Sequence, residues 1–411
     1  MDRNEMIAKE KDVGAIFRRY MGRYRKEHAL SYEQRQAARA IMECRTPALG
    51  GVIKACTECG NWEFQYKSCK NRHCPKCGAF EKAQWLEAQK VWVLPIHYYH
   101  VVFTIDHVFN PLVWWNQEVM YNHLIDTAAH LLKEYGRKYL GGEIGFTLVL
   151  HTWGQTIQAH PHVHFIVTGG ALAHTSDGYR WKRAKQNYLF NVEELSRDFR
   201  RRFCDGVRAL WQSGSLSTQQ GALDVADMLL QAEGKKWEVY IQSPLYGVDK
   251  LLEYLGRYIF RIAISNHRIV AVEHDQVTFT YYDNREVRSQ ERKPRQMSLP
   301  VLEFIHRFLM HVLPDRFVRI RHYGLHHGSC RAKLQQARRL LGLPTTLPVV
   351  LQLKLLDWLK QILQTEQDPR LCPSCQKGVL IPVRQVGPMS ETRASFLSWV
   401  GTLMRWNMAT A

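Results

Sequence analysis

Two cysteine pairs, Cys56–Cys59 and Cys74–Cys77, stand in CxxC spacing with fourteen residues between them, and nothing else in the chain restricts its local fold as much. Zinc takes four soft ligands in a tetrahedron, and two such knuckles supply them from tight turns that a short loop can bring together. Redox CxxC motifs rarely come doubled, so structural zinc at Cys56, Cys59, Cys74 and Cys77 is the expectation. Cys44, Cys69 and His73 are interleaved with this set. They offer three ligands of a second site whose fourth is not evident, with three buried or incidental residues as the alternative reading. Cys372 and Cys375, in CPSCQKG, form another knuckle without a visible partner pair, and half of a metal site and a simple turn both stay open. Cys204 and Cys330 are isolated. Cysteine usage of this kind belongs to a reducing compartment, where metal binding prevails over disulfides.

The chain of 411 residues has room for two or three domains, and 45% hydrophobic with 11% aromatic residues excludes the disordered and collagen-like classes. A formal charge of +18, from 56 Lys and Arg against 38 Asp and Glu, makes nucleic acid the leading partner. No apolar run reaches the ~18 residues that would cross a bilayer. The start MDRNEMIAKEKD lacks the apolar stretch of a signal peptide, so no membrane partner and a cytosolic location are expected.

Periodicity predicts a helical lead-in over Val13 to Cys44, with Ser31 and Gln34 as a capping box, then the cysteine-rich module and a helix from Phe80 to about Val93. Pro95 ends that helix and the β-branched, aromatic IHYYHVVFTID reads as a strand. A helical stretch from Pro111 to Tyr139, strands in GFTLVLHTW and HVHFIVTGG, and a basic helical region near Leu195 to Trp211 follow. After them come the strand WEVYIQSP, the helix DKLLEYLGRYIFRIA and the hairpin-like IVAVEHDQVTFTYYD. The charge run NREVRSQERKPRQ, a solvated loop or DNA-facing edge, leads to an amphipathic helix around LEFIHRFLMHVL. The expected division is 1–94 helical and zinc-binding, 95–285 catalytic, and 286–411 a basic accessory region.

His162 and His164 are two apart in a predicted strand, so both side chains leave the same face, a geometry suited to a shared metal. Histidine-triad hydrolases also carry HxHxH but give no role to zinc knuckles, and the metallo-β-lactamase pattern needs an Asp near position 166, where this chain has Ile166. Paired histidines holding magnesium or manganese against a scissile phosphate remain. His151, on the preceding strand, is the first choice for a third ligand, with Gln155 and His160 behind it. In the helix DKLLEYLGRYIFRIA, Tyr254 and Tyr258 are four apart on one face, flanked by Arg257 and Arg261 as DNA contacts. Tyrosine attack on phosphorus yields a phosphotyrosine that conserves bond energy for rejoining, which strand transfer needs and simple hydrolysis does not. Tyr at helical spacing is by itself more often half-buried packing.

The landmarks CRTPALGG, KSCKNRHCPKCG, HVVFTIDH, LHTWGQTIQAHPHVHFIVTGG, YLGRYIFRIAIS and RIRHYGLHHG cover nearly the whole chain. Together they resemble the HUH two-tyrosine transposases of rolling-circle insertion sequences, specifically the insertion-sequence-ninety-one family with its N-terminal zinc domain. The resemblance implies an α+β fold, an antiparallel sheet with the HUH motif on a central strand and the tyrosine helix packed beside it. It also implies His162 and His164 as metal ligands around the bulky Val163, and Tyr254 and Tyr258 as the nucleophile pair. One tyrosine would cut a donor strand and keep its 5′ end, leaving a 3′ hydroxyl, while the other serves the second cleavage, without ATP. Partners would be single-stranded or hairpin ends of its own element and target DNA in a bacterial cytosol or nucleoid. A plasmid replication initiator or relaxase shares that chemistry, and a non-catalytic zinc DNA-binding protein is the alternative from another class.

Overall fold

The computed structural model describes residues 11–218, 221, 223–259, 261–282, 293–347, 349–350 and 352–388. The chain divides into two compact units, one from residues 1–80, 265–274 and 353–411, the other from 81–264 and 275–352. Residues beyond 286 are accordingly shared between the two units.

The first unit opens with helices α1 (Val13–Glu27) and α2 (Tyr32–Glu43). Helix α1 buries Val13, Ile16, Phe17, Tyr20 and Tyr24, the three-and-four spacing of an apolar stripe. The predicted capping box opens α2: the Gln34 amide donates to Ser31 Oγ at 3.2 Å and the Ser31 amide donates to Gln34 Oε1 at 3.0 Å. Strands β1 (Gly51–Cys56) and β2 (Trp62–Tyr66) then form an antiparallel sheet completed by β13 (Leu380–Val386), with β1 in the middle. Gly50 enters β1 at φ 67°, where a Cβ would collide with the Val386 carbonyl, which explains a glycine at this point of CRTPALGG.

Helix α3 (Ala79–Gln89) carries the chain into the second unit and stops earlier than Val93. The residues after it turn toward β3 (Tyr98–Thr104), held where the Leu94 amide donates to Tyr98 Oη at 2.9 Å. The predicted Pro111–Tyr139 helix is two, α4 (Asn110–Trp115) and α5 (Gln117–Leu140), because Asn116 leaves helical geometry and turns its side chain to the Leu112 and Ser217 carbonyls. Next come β4 (Gly145–Trp153), β5 (Ala159–Thr168), the hairpin of β6 (Gly170–Thr175) and β7 (Gly178–Arg183), helices α6 (Val192–Gln212) and α7 (Val225–Glu233), strand β8 (Val239–Leu245) and helix α8 (Val248–Ile259). Strands β9 (Ile269–Glu273), in the first unit, and β10 (Gln276–Tyr281) occupy the predicted hairpin stretch. The charge run falls largely on 283–292, outside the described residues. Strand β11 (Arg295–Pro300), helix α9 (Val301–Met310), strand β12 (Ile320–Gly324) and helix α10 (Arg331–Leu340) complete the second unit.

Five strands make its main sheet in the order β12-β4-β5-β3-β8, and all four neighbouring pairs are antiparallel. The central strand β5 sends Val163, Phe165 and Val167 to one face, where they join Val101 and Phe103 of β3, Phe146, Leu148 and Leu150 of β4, and the apolar sides of α5 and α6. Alternation turns His162, His164 and Ile166 to the other face. There α8 lays Leu251, Leu252 and Leu255 against Tyr98, Val149 and Ile166. Phe165 is fully buried between Phe103 and Phe146, with ring centroids 5.5 Å from each. Phe165→Ala is expected to cost about 3–5 kcal/mol in urea unfolding of this unit; a loss below ~1 kcal/mol would mean that the sheet is not packed around it.

Candidate functional site

The histidine centre is built on two adjacent strands. His151 of β4 lies directly across from His162 of β5, and His164 is flanked by Val149 and Val102. One ligand atom from each of His151, His162 and His164 falls within 4.8 Å of the other two. Hydrogen bonds select the free nitrogen of two rings: His162 Nδ1 lies 2.6 Å from the His160 carbonyl, to which it donates, and His164 Nδ1 lies 2.8 Å from His100 Nε2. Nε2 of each is therefore left to face the centre, the usual division of labour in metal-bound imidazoles. Burial first, and then the charge of His160, pushes His162 down to about 3. His164 is held well below its ordinary value by burial and then by His151. Three imidazoles gathered in this way, two of them held neutral by burial, fit a divalent cation. His160 is exposed and contributes its carbonyl rather than its ring.

Helix α8 brings Tyr254 to the same face. Its hydroxyl lies 2.5 Å from His100 Nδ1 and 3.0 Å from Gln242 Oε1. His100, on β3, did not stand out in the sequence, where it is one histidine in the aromatic run IHYYHVVFTID; its alternate-position relation to Tyr98 was the available signal. Burial pushes His100 down to about 4, against the opposing effect of Gln242, so the ring is neutral at pH 7. One assignment of protons satisfies the chain: His164 Nδ1–H donates to His100 Nε2, His100 Nδ1–H to Tyr254 Oη, and the Tyr254 hydroxyl to Gln242 Oε1. Arg261 is exposed, and its charge adds a minor push to His162 and His164 after burial and the neighbouring rings, so it stands within electrostatic reach of the centre. The side chains of Arg257 and Tyr258 lie outside the described residues.

The cysteines sort differently from the expectation. Cys74 and Cys77 gather with Cys44 and Cys69, whereas Cys56 and Cys59 gather with Cys372 and Cys375. The expected Cys56, Cys59, Cys74, Cys77 quartet is thus divided, and His73 stands outside both clusters. Proximity along the chain favours pairing neighbouring knuckles, but strand β1 leads the Cys56–Cys59 turn toward the segment that enters β13, and the end of α2 delivers Cys44 to the Cys74–Cys77 turn. In the first cluster Cys44 and Cys69 Sγ lie 3.6 and 3.8 Å from Cys77 Sγ. A tetrahedron with metal–sulfur bonds of about 2.3 Å has edges of about 3.8 Å, so the spacing is that of zinc ligands. Cys204 is buried in the main core, and neither it nor Cys330 belongs to a cluster.

A family model described as "Putative transposase" matches residues 145–333, and one described as "Transposase zinc-binding domain" matches residues 16–105. Fold, cysteine clusters and these matches define a DNA-cleaving and strand-transferring enzyme that binds DNA and carries structural zinc. The chain is 38% identical over 384 residues to the "Putative transposase y4qJ" of Sinorhizobium fredii (strain NBRC 101917 / NGR234), covering 90% of this chain and 94% of that protein. It is 29% identical over 321 residues to the transposase for insertion sequence element IS801 of Pseudomonas savastanoi pv. phaseolicola, covering 75% and 74%. The chain belongs to the IS91 family of transposases, with the N-terminal zinc-binding domain of that family. No solved structure matches it. Among the described residues no helix is long and apolar enough to cross a membrane.

Besides His162 near 3 and His100 near 4, burial pushes His311 down to about 4 and His326 to about 3. All four lie in the second unit. Their ordinary value is 6.5, so between about 6.5 and 4 the unfolded chain binds protons that the folded one refuses. Protein that retains its zinc but has no cation at the histidine centre is expected to hold this contribution in full above pH 6.5 and lose it steadily toward pH 4. Urea midpoints at pH 7.5 and pH 5 test this, and equal midpoints would contradict the burial of neutral rings.

Proposed function

We propose that this transposase is an HUH nuclease that cuts and joins single-stranded DNA through a 5′-phosphotyrosine at Tyr254, in rolling-circle transposition. The observation that carries the reading is the continuous link from the Tyr254 hydroxyl through His100 to His164, beside the convergent His151, His162 and His164. In the proposed division, residues 95–285 perform the chemistry, while 1–94 and the basic region after 286 recognise DNA ends, single-stranded or folded as hairpins.

His151, His162 and His164 would hold magnesium or manganese, and three imidazole nitrogens favour manganese over oxygen-seeking magnesium. When bound, the cation polarises the scissile phosphate and offsets charge developing on it. Gln242 and His100 orient the Tyr254 oxygen, and Arg261 attracts the phosphate backbone. The tyrosine oxygen attacks phosphorus, a P–O bond to Tyr254 forms and the P–O3′ bond breaks. In balance the phenol proton goes to the departing 3′ oxygen, leaving a free 3′ hydroxyl. Rejoining runs the exchange backwards with another 3′ hydroxyl. Tyr258, one turn further along α8, is assigned the second cleavage.

The test is a covalent adduct between the purified protein and labelled single-stranded DNA from its element's end, seen on a denaturing gel with manganese. Adduct is expected in the wild type and absent with EDTA, in His162→Ala, and in Tyr254→Phe combined with Tyr258→Phe. Tight DNA binding without adduct on any strand would instead indicate a non-catalytic binder. His100→Ala is expected to slow adduct formation about 10–100-fold, the effect of losing a group that orients a metal ligand. Because His100 also holds the nucleophile, the loss should persist at saturating manganese; full rescue by added metal would confine His100 to supporting His164.

A further inference from the structure

We infer that this transposase carries a second structural zinc, at Cys56, Cys59, Cys372 and Cys375, which fastens the C-terminal segment into the N-terminal zinc-binding unit. The zinc-binding family match, residues 16–105, includes the first two of these cysteines and neither of the last two.

Four sulfurs fall within 4.8 Å of one another, with Cys56 Sγ 3.6 Å from Cys375 Sγ and Cys59 Sγ 3.7 Å from Cys372 Sγ. Those separations match the ~3.8 Å edge of a zinc–thiolate tetrahedron. They far exceed the ~2.05 Å of a disulfide. Both turns give their sulfurs N–H donors, as thiolates require. The Glu58 amide donates to Cys56 Sγ at 3.4 Å, the Gly378 amide to Cys375 Sγ at 3.5 Å, and Asn61 Nδ2 to Cys372 Sγ at 3.7 Å. The knuckles approach so closely that a Cβ on Gly378 would lie 2.5 Å from Cys56 Sγ.

The surrounding backbone is locked in the same register. Cys56 pairs with Leu380 across β1 and β13, the Thr57 amide donates to the Val379 carbonyl at 3.2 Å, and the Cys372 amide donates to the Gly378 carbonyl at 2.9 Å. Beyond the β1–β13 ladder, apolar packing among the described residues is slight there, because the buried cluster at this point consists of Cys56, Cys372 and Leu380, with Cys375 against it. A core that small does not hold a β-ribbon closed without a staple. Cys59 and Cys372 stand 313 positions apart, and the whole second unit lies between them in sequence. The ion would therefore make the zinc-binding unit a product of both ends of the chain, with the nuclease unit inserted in it. This inference rests on the cysteine geometry and stands independently of the phosphotyrosine reading.

Zinc content of the purified full-length protein, by mass spectrometry of the metal, tests the proposal in a His162→Ala background, where the histidine centre adds no ion to the count. Two ions per chain are expected in that background. One is expected on adding Cys372→Ser with Cys375→Ser, and one on adding Cys44→Ser with Cys69→Ser. One ion in the His162→Ala protein, or two after Cys372→Ser and Cys375→Ser are added, would overturn it. Should the double variants be insoluble, cobalt titration of zinc-stripped wild type decides the matter. Thiolate-to-cobalt absorption saturating at two equivalents supports the second site, and saturation at one equivalent removes it.

Discussion

The strict two-residue alternation of β5 is the constraint on which the second unit depends. A central strand covered on both sides must present two complete and different faces, because any slip by one residue would exchange them. On one face Val163, Phe165 and Val167 complete the main core; on the other His162 and His164 stand above Ile166, against which α8 packs. The imidazoles are thus positioned by the same packing that stabilises the sheet. Their rings come from a rigid strand interior rather than from a loop, and rigid elements hold a metal-binding geometry better than mobile ones.

Burial of the histidines has an electrostatic cost that the site turns to use. Removing an imidazole from water penalises its charged form, so the rings stay neutral and keep lone pairs available. A neutral buried ring still needs partners for its N–H groups. The His160 carbonyl serves His162, and His100 serves His164 while reaching Tyr254 with its other nitrogen. The Tyr254 hydroxyl and the cluster of His151, His162 and His164 are in this way joined through one side chain on β3, the strand that pairs with β5.

The first unit is held by different physics. It draws its strands from segments far apart in sequence, and its apolar clusters are small where the cysteines gather. Metal coordination concentrates in a few bonds the binding free energy that a larger core would spread over many contacts, and it does so only when the ligand turns are brought together by strand pairing. The sheet of β13, β1 and β2 supplies that pairing.

Features set by neighbouring residues were legible in the sequence. The capping box at Ser31 and Gln34, the full extent of β4, the shared face of His162 and His164, and the helix bearing Tyr254 all follow from local spacing, since helix and strand periods act over a few residues. The landmarks that resemble the family pointed to the transposase class. The grouping of the cysteines was not legible, because CxxC spacing describes a knuckle and says nothing of which knuckle it faces. The pairing depends on β1 lying between β2 and β13. His100 was not legible for the same reason: its contacts with His164 and Tyr254 depend on a register that sets it opposite Ile166, one alternation from His164, and on the seating of α8. Sequence alone determined which chemical groups this chain carries and the faces from which they project; tertiary structure alone decided which of them meet, because contacts between distant segments are fixed by strand register and packing rather than by spacing along the chain.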